Sequence, residues 1–178
     1  MKKNQQDIAR MEMRRQPFDT EAYVETIQTT PCFICQLVAG NSDNPHHIVF
    51  ENEEAIVFLN KYPVLYGYSL VAPKAHKEQV TADFSSEEYL RLQTLIYHVA
   101  EATRRYVQPE RVYILSLGSQ QGNRHVHWHV APLPPGLPFE EQQLNALRFG
   151  NGVLELSEAE FQELAAGLRH ELSQLGFD

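Results

Sequence analysis

The chain is short of most features that mark secreted, membrane-bound or polyanion-binding proteins. It has only two cysteines, Cys32 and Cys35, within a Cys-Phe-Ile-Cys pair. That spacing is poor material for a disulfide framework and suits a metal clip or a redox pair, which favours a reducing compartment. No stretch approaches the roughly 18 consecutive apolar residues of a membrane span. After Lys2 and Lys3 the N-terminus runs Asn4-Gln5-Gln6-Asp7, without the apolar segment of a secretory signal. Basic residues number 15 against 23 acidic ones, a net charge of −8. This argues against a broad footprint for duplex nucleic acid, which rests on many Lys and Arg contacts to phosphate. An anionic ligand would need a local pocket of donors. The expectation is a soluble, cytoplasmic protein.

What is present fits one domain, since 178 residues with 43% hydrophobic and 21% charged side chains can bury one substantial core. Residues 1–30 are polar and mixed in charge, are broken at Pro17 and end in Thr29-Thr30-Pro31, so they read as an extension. Three strand-like pieces follow at His47 to Glu51, Ala55 to Leu59 and Ser69 to Ala72, and their short connections predict an antiparallel meander. Ser85-Ser86-Glu87-Glu88 is a capping box ahead of Leu92, Leu95, Ile96, Val99 and Ala100, whose spacing predicts a helix of about five turns. Val112 to Leu117 and Val126 to Ala131 read as two further strands around the Gly118-Ser119-Gln120-Gln121-Gly122 loop. After a proline-rich connection, Ser157-Glu158-Ala159-Glu160 caps a second helix carrying Phe161, Leu164, Ala165, Leu168 and Leu172. Glu155, Glu158 and Glu160 suit solubility and the N-terminal dipole of that helix. Five strands and two helices make an α+β domain.

The densest chemistry lies in His125-Val126-His127-Trp128-His129-Val130-Ala131-Pro132. Alternation along a strand puts the three imidazoles on one face at steps of about 6.5 to 7 Å, with Val126, Trp128 and Val130 on the other. A solvent-exposed polar face would also alternate, but three of the eight histidines fall within five residues and the residues between them are large and apolar. Imidazole at this density serves metal ligation or proton and phosphoryl transfer, and the strand alone leaves both open.

The His125-x-His127-x-His129 pattern with the apolar residues after it resembles the signature of the histidine triad (HIT) family of nucleotide hydrolases and transferases. Ala55 to Pro63 and Gly67-Tyr68-Ser69-Leu70-Val71-Ala72-Pro73-Lys74-Ala75-His76 are similar to the family's nucleotide-binding strands. The resemblance covers about residues 32–132. It implies a five-stranded antiparallel sheet with a long helix, commonly paired into a homodimer that extends the sheet. The expected organisation is an extension over 1–30, a HIT-like nucleotide-binding domain over 31–137, and a C-terminal helical extension over 138–178 packed on the domain.

In such proteins the middle histidine attacks the α-phosphorus of a nucleotide, which assigns the nucleophile to His127. His129 then neutralises phosphate charge or protonates the leaving group, and His125 completes the catalytic set. Donors at Ser119, Gln121 and Asn123 are expected to hold phosphate and Asn60 the ribose, with Ile48, Phe50 and Phe58 flanking the base. Some branches hold a structural zinc with a Cys-x-x-Cys pair, the histidine of a Pro-x-x-His motif and the first triad histidine; these map to Cys32, Cys35, His76 and His125. Two thiolates and two imidazoles leave no open position, so such a zinc is structural.

Several members have histidine where this chain has Tyr68, and many have a basic residue where it has Leu133; both changes are expected to touch the ligand pocket. The loop before the triad is also compressed at Gly122-Asn123-Arg124. Arg124 is a further source of positive charge for phosphate, although alternation starts it on the face away from His125. His46 and His47, adjacent in a strand, make an awkward pair of ligands, while His98 and His170 on helices suit structural or solvent-facing roles. Three functions compete. The leading one is a nucleotide hydrolase or transferase acting on a dinucleoside polyphosphate, phosphoramidate or mixed anhydride. The others are a nucleotide-binding sensor without turnover, and a metalloenzyme using all three triad histidines.

Overall fold

The computed structural model describes residues 14–41 and 45–177. The beginning of the N-terminal extension, with Lys2 and Lys3, lies outside the described residues. The elements in chain order are β1 (Arg15–Gln16), α1 (Thr20–Thr29), α2 (Phe33–Val38), β2 (Ile48–Glu51), β3 (Ala55–Leu59), β4 (Ser69–Pro73), α3 (Ser86–Val107), β5 (Arg111–Leu115), β6 (Trp128–Leu133), three short 3-10 turns, β7 (Val153–Leu154) and α4 (Glu158–Ser173). Five strands form one antiparallel sheet in the order β2-β3-β4-β6-β5, and β1 pairs with β7 in a separate ribbon. The α+β architecture expected from the sequence is the one observed.

Local chemistry explains the turns and helix ends. Asn52 closes the β2–β3 hairpin because its Oδ1 accepts from the amides of Glu54 and Ala55 at 2.9 and 2.8 Å. Gly67 turns the chain into β4 at φ +86°, where an added Cβ would lie 2.6 Å from a methyl of Val107. Only glycine fits there. Helix α3 starts with a reciprocal capping box between Ser85 and Glu88, and α4 with its equivalent between Ser157 and Glu160. The apolar face of α3 buries Leu92, Leu95, Ile96 and Val99; that of α4 buries Leu164, Ala165, Leu168 and Leu172. Together with Val57, Val71, Trp128 and Val130 they form the main core on one face of the sheet.

The structure moves several sequence-based boundaries and adds a helix to the extension. The triad strand begins at Trp128 rather than Val126, because the Val126 amide donates to the Lys77 carbonyl at 2.7 Å and not to a sheet neighbour. The strand before it ends at Leu115 rather than Leu117. The extension before residue 31 contains α1, capped where Asp19 accepts from the Ala22 amide at 3.0 Å. Helix α1 buries no residue, which is why its apolar periodicity is weak. Among the described residues no helix is long and apolar enough to cross a membrane.

Candidate functional site

Alternation along the triad strand sorts its side chains between two environments. Val126, Trp128 and Val130 enter the helix-side core. On the opposite face Ile56, Phe58, Leu70 and Ala72 pack with Ile34 of α2, and farther along Val64, Leu65, Tyr68, Ala131 and Val153 form a second apolar group. His125 and His127 are only 1% and 4% exposed, so every ring nitrogen matters.

Backbone carbonyls fix where each ring carries its proton, because a carbonyl can only accept. His125 donates from Nε2 to the Pro73 carbonyl at 2.8 Å, leaving Nδ1 bare. His127 donates from Nδ1 to the His125 carbonyl at 2.7 Å, leaving Nε2 bare. His129 donates from Nε2 to the Leu117 carbonyl at 3.4 Å, leaving Nδ1 to accept from the Tyr68 hydroxyl at 2.9 Å. Neighbouring triad histidines therefore hold opposite tautomers. Burial keeps the rings neutral: it pushes His125 and His129 down to about 4 and lowers His127 as well, with the charge of its triad neighbour His127 adding to the effect on His129. Burial raises the Tyr68 phenol far above its usual range, so it stays a protonated donor.

The bare Nδ1 of His125 faces the cysteine pair. Cys32 Sγ and Cys35 Sγ lie 3.4 and 3.5 Å from it, and Cys35 Sγ lies 3.2 Å from His76 Nδ1. One ligand atom from each of Cys32, Cys35, His76 and His125 falls within 4.8 Å of the others. In a tetrahedron with ordinary zinc–sulfur and zinc–nitrogen bonds, a sulfur–nitrogen edge is about 3.5 Å. The observed edges fit that, and the widest separation needs only a modest contraction. Both imidazoles are also held from behind, His125 by Pro73 and His76 through Nε2 by Glu78 Oε1 at 3.1 Å. Such outer partners orient metal-binding rings. Without a cation, burial and the neighbouring Cys32 push the Cys35 thiol up to about 11; a bound cation reverses that preference.

The expected nucleotide contacts fall in several places. Asn60 accepts from the Tyr62 amide at 2.9 Å, closing the turn after β3. Phe58 is buried with Ile48 packed on its cluster. Phe50 does not join them. A register shift between Ile48 and Phe50 turns Phe50 into the helix-side core, where it meets Phe177 edge-on at 5.7 Å. The expectation carried by the resemblance, that Phe50 joins Ile48 and Phe58, is thus corrected: the β-bulge puts Phe50 on the other face of the sheet. Ser119 Oγ accepts from the Gln121 amide at 3.1 Å, while Asn123, at φ 54°, donates to Tyr23 Oη at 3.0 Å. Gln121 and Asn123 line a cavity of about 250 Å³ with Ile27, Cys32, His76 and Arg124. Leu133 is fully buried opposite Arg111 in the sheet. His46 stacks on Phe33 and His47 on Phe161, so neither approaches the Cys32 cluster.

Sequence reading missed Ser116, which donates to the His127 carbonyl at 2.8 Å, and Tyr23 and Ile27, which bring α1 onto the loop before the triad. Nothing in the sequence marks Ser116. For α1, the aromatic and aliphatic residues at Tyr23 and Ile27, four apart, were the available signal.

Three alternating imidazoles, two buried in the segment leading into β6 and one on β6 itself, each donating to a backbone carbonyl beside a five-stranded antiparallel sheet, match the histidine-triad pattern. The HIT domain family model matches residues 41–135, and the chain belongs to the HIT family. An uncharacterized HIT-like protein of Mycoplasma genitalium is 32% identical over 115 residues, covering 61% of this chain and 77% of that protein. The protein named hit of Bacillus subtilis is 30% identical over 104 residues, 57% of this chain and 70% of its own. The fold is similar to that of a Zn-bound histidine triad family protein from Mycobacterium smegmatis, with TM-score 0.63, 24% identity and coverage of 82% of this chain and 95% of that one. It is also similar to a "hypothetical histidine triad nucleotide-binding protein" from Sulfolobus tokodaii, with TM-score 0.64, 23% identity and coverage of 81% and 93%.

Proposed function

We propose that the protein is a nucleotide hydrolase or nucleotidyl transferase that cleaves at the α-phosphate of a small adenine nucleotide, such as a dinucleoside polyphosphate or a nucleoside phosphoramidate. One observation carries this reading: the 2.7 Å bond from His127 Nδ1 to the His125 carbonyl leaves Nε2 unprotonated in a ring that burial keeps neutral. That nitrogen is the nucleophile. Its lone pair forms the bond to phosphorus as the bond to the leaving oxygen or nitrogen breaks, and the Nδ1 proton stays on the ring, still donated to the His125 carbonyl. His129, whose ring centroid is 4.8 Å from that of His127, carries an Nε2–H that donates a hydrogen bond to the phosphate or the leaving group and keeps its proton, since the ring is neutral. Water or another acceptor then attacks phosphorus and restores His127. Loop residues Ser119, Gln121 and Asn123 bind phosphate, Asn60 the ribose, and Ile48 and Phe58 the base.

The Cys32, Cys35, His76 and His125 set is assigned to a structural zinc, because four protein ligands leave no position for substrate. The bare nitrogen of His125 faces the cysteine pair and that of His129 accepts from Tyr68, so a catalytic metal shared by all three rings is not supported. The free thiols and this metal reading favour a cytoplasmic location.

We assign a homodimer to the outer edge of β5. The edge strand is unpaired on its far side among the described residues, Tyr97 and Ile114 beside it are 63% and 47% exposed, and they border a groove of about 650 Å³ between α3 and β5. Light scattering on wild type and Ile114→Glu tests this, with a monomeric wild type as the contrary result.

The test of the reaction is intact-protein mass spectrometry after brief incubation with an adenylyl substrate panel. A nucleotidyl adduct in wild type and not in His127→Ala supports covalent catalysis. A non-catalytic nucleotide sensor is the second reading, favoured by the 4% exposure of His127. Nucleotide binding without adduct or product would decide for it.

A further inference from the structure

Tyr68 occupies a position where several family members carry histidine, yet its hydroxyl sits 2.9 Å from His129 Nδ1 and only 6% of the residue is exposed. Since the Leu117 carbonyl takes the Nε2 proton of a neutral ring, Nδ1 has none and the hydrogen bond runs from Tyr68 O–H to His129. A neutral phenol can donate or accept, and Tyr68 donates here because the bare Nδ1 has no proton to give it.

The surroundings of Tyr68 are built partly inside and partly outside the matched HIT domain. The Tyr68 ring packs in the cluster with Val64, Leu65, Ala131 and Val153 of β7, against which Phe18 and Phe149 also lie. Phe18 and Phe149 stack at 4.3 Å, joining the N-terminal and C-terminal segments in one aromatic patch. Arg15 fastens the same region by donating to the carbonyls of Gly152 and Val64 at 2.9 and 3.0 Å.

We propose that Tyr68 is the positioning residue of His129. Its hydroxyl holds the ring in the orientation that aims Nε2–H at the Leu117 carbonyl, so that the two contacts together keep the tautomer in which Nε2 carries the proton, and the terminal extensions hold Tyr68 in place to do so. The consequence for turnover rests on the hydrolase reading above; the tautomer itself does not. Tyr68 acts through His129 and needs no contact with substrate.

The experiment is nitrogen-15 NMR of histidine-labelled full-length protein, compared for wild type, Tyr68→Phe and Tyr68→His, with steady-state kinetics on the same samples. In wild type, His129 Nδ1 reads as a bare, hydrogen-bonded nitrogen and Nε2 as protonated. In Tyr68→Phe the hydrogen-bonded signature of Nδ1 is lost, kcat falls roughly tenfold, the worth of one hydrogen bond, and KM holds within about twofold. Tyr68→His, which can again donate to Nδ1, recovers most of the lost kcat. A wild-type spectrum with Nδ1 protonated overturns the proposal even if Tyr68→Phe fails to fold. So does a Tyr68→Phe spectrum identical to wild type, or an altered spectrum with kcat unchanged. If wild type turns over no nucleotide while the tautomer shift appears, the hydrolase reading fails and the Tyr68–His129 coupling stands.

Discussion

The backbone carbonyl of His125 holds His127 at 2.7 Å, while the ring of that same His125 faces Cys32 and Cys35 at 3.4 and 3.5 Å. One residue thus links a candidate structural metal to a candidate nucleophile: whatever fixes the His125 ring also fixes the carbonyl that orients His127.

Cys32→Ser and Cys35→Ser are expected to lose bound zinc and to lower the unfolding temperature. The loss is about 3 to 4 kcal/mol where free zinc stands some hundreds of times above its Kd. Metal content by mass spectrometry and calorimetric melting check this. Chelation should reduce turnover only on the timescale of unfolding, and an instant loss would point to a catalytic metal.

His127→Ala is expected to abolish turnover while keeping zinc, because the His127 ring is not one of the clustered ligands, and to cost about 1 to 3 kcal/mol through the unsatisfied His125 carbonyl. Loss of zinc together with activity would instead make His127 part of the metal site. Metal content and single-turnover kinetics separate the two outcomes.

The pH dependence follows from burial. His129 titrates near 4 in the folded protein and His127 below its usual value, whereas both return to about 6.5 on unfolding. The unfolded chain therefore binds more protons in this window. Stability is fully present above pH about 6.5 and is lost as the pH falls toward 4, with the unfolding constant rising up to roughly tenfold per pH unit for each ring. Denaturant titrations of wild type and His129→Gln check the sign: the variant should show the shallower pH slope. Turnover should likewise persist through pH 6, where an ordinary histidine is about three-quarters protonated.

Gly167 of α4 lies against Tyr106 of α3, and an added Cβ would come within 2.1 Å of the ring. Gly167→Ala should cost about 1 to 3 kcal/mol through overpacking, despite the helix preference of alanine of about 1 kcal/mol. Urea unfolding measures the balance, and a stabilised variant would show that the ring yields freely.

Much of the fold was legible because the segments concerned satisfy simple patterns. Ser85 and Glu88, or Ser157 and Glu160, announce helices whose apolar faces are then buried as spaced. His125, Cys32, Cys35 and His76 became a candidate cluster through a family resemblance and proved adjacent in space. Phe50 was misplaced because a β-bulge cannot be seen in hydrophobic alternation. Helix α1 escaped because a helix with no buried residue writes little periodicity into the chain. The partnership of Tyr68 with His129 spans 61 residues of sequence and depends on strand register, which no local pattern encodes.

The β1–β7 ribbon sets an order on the birth of the molecule. Arg15 and its acceptor Gly152 stand 137 residues apart, so during synthesis the first strand waits, unpaired, until nearly the whole chain has left the ribosome. The central sheet, whose partners are much nearer in sequence, can assemble beforehand. The belt on the triad face therefore closes after the strands it covers, and α4, later still in the chain, completes the opposite face.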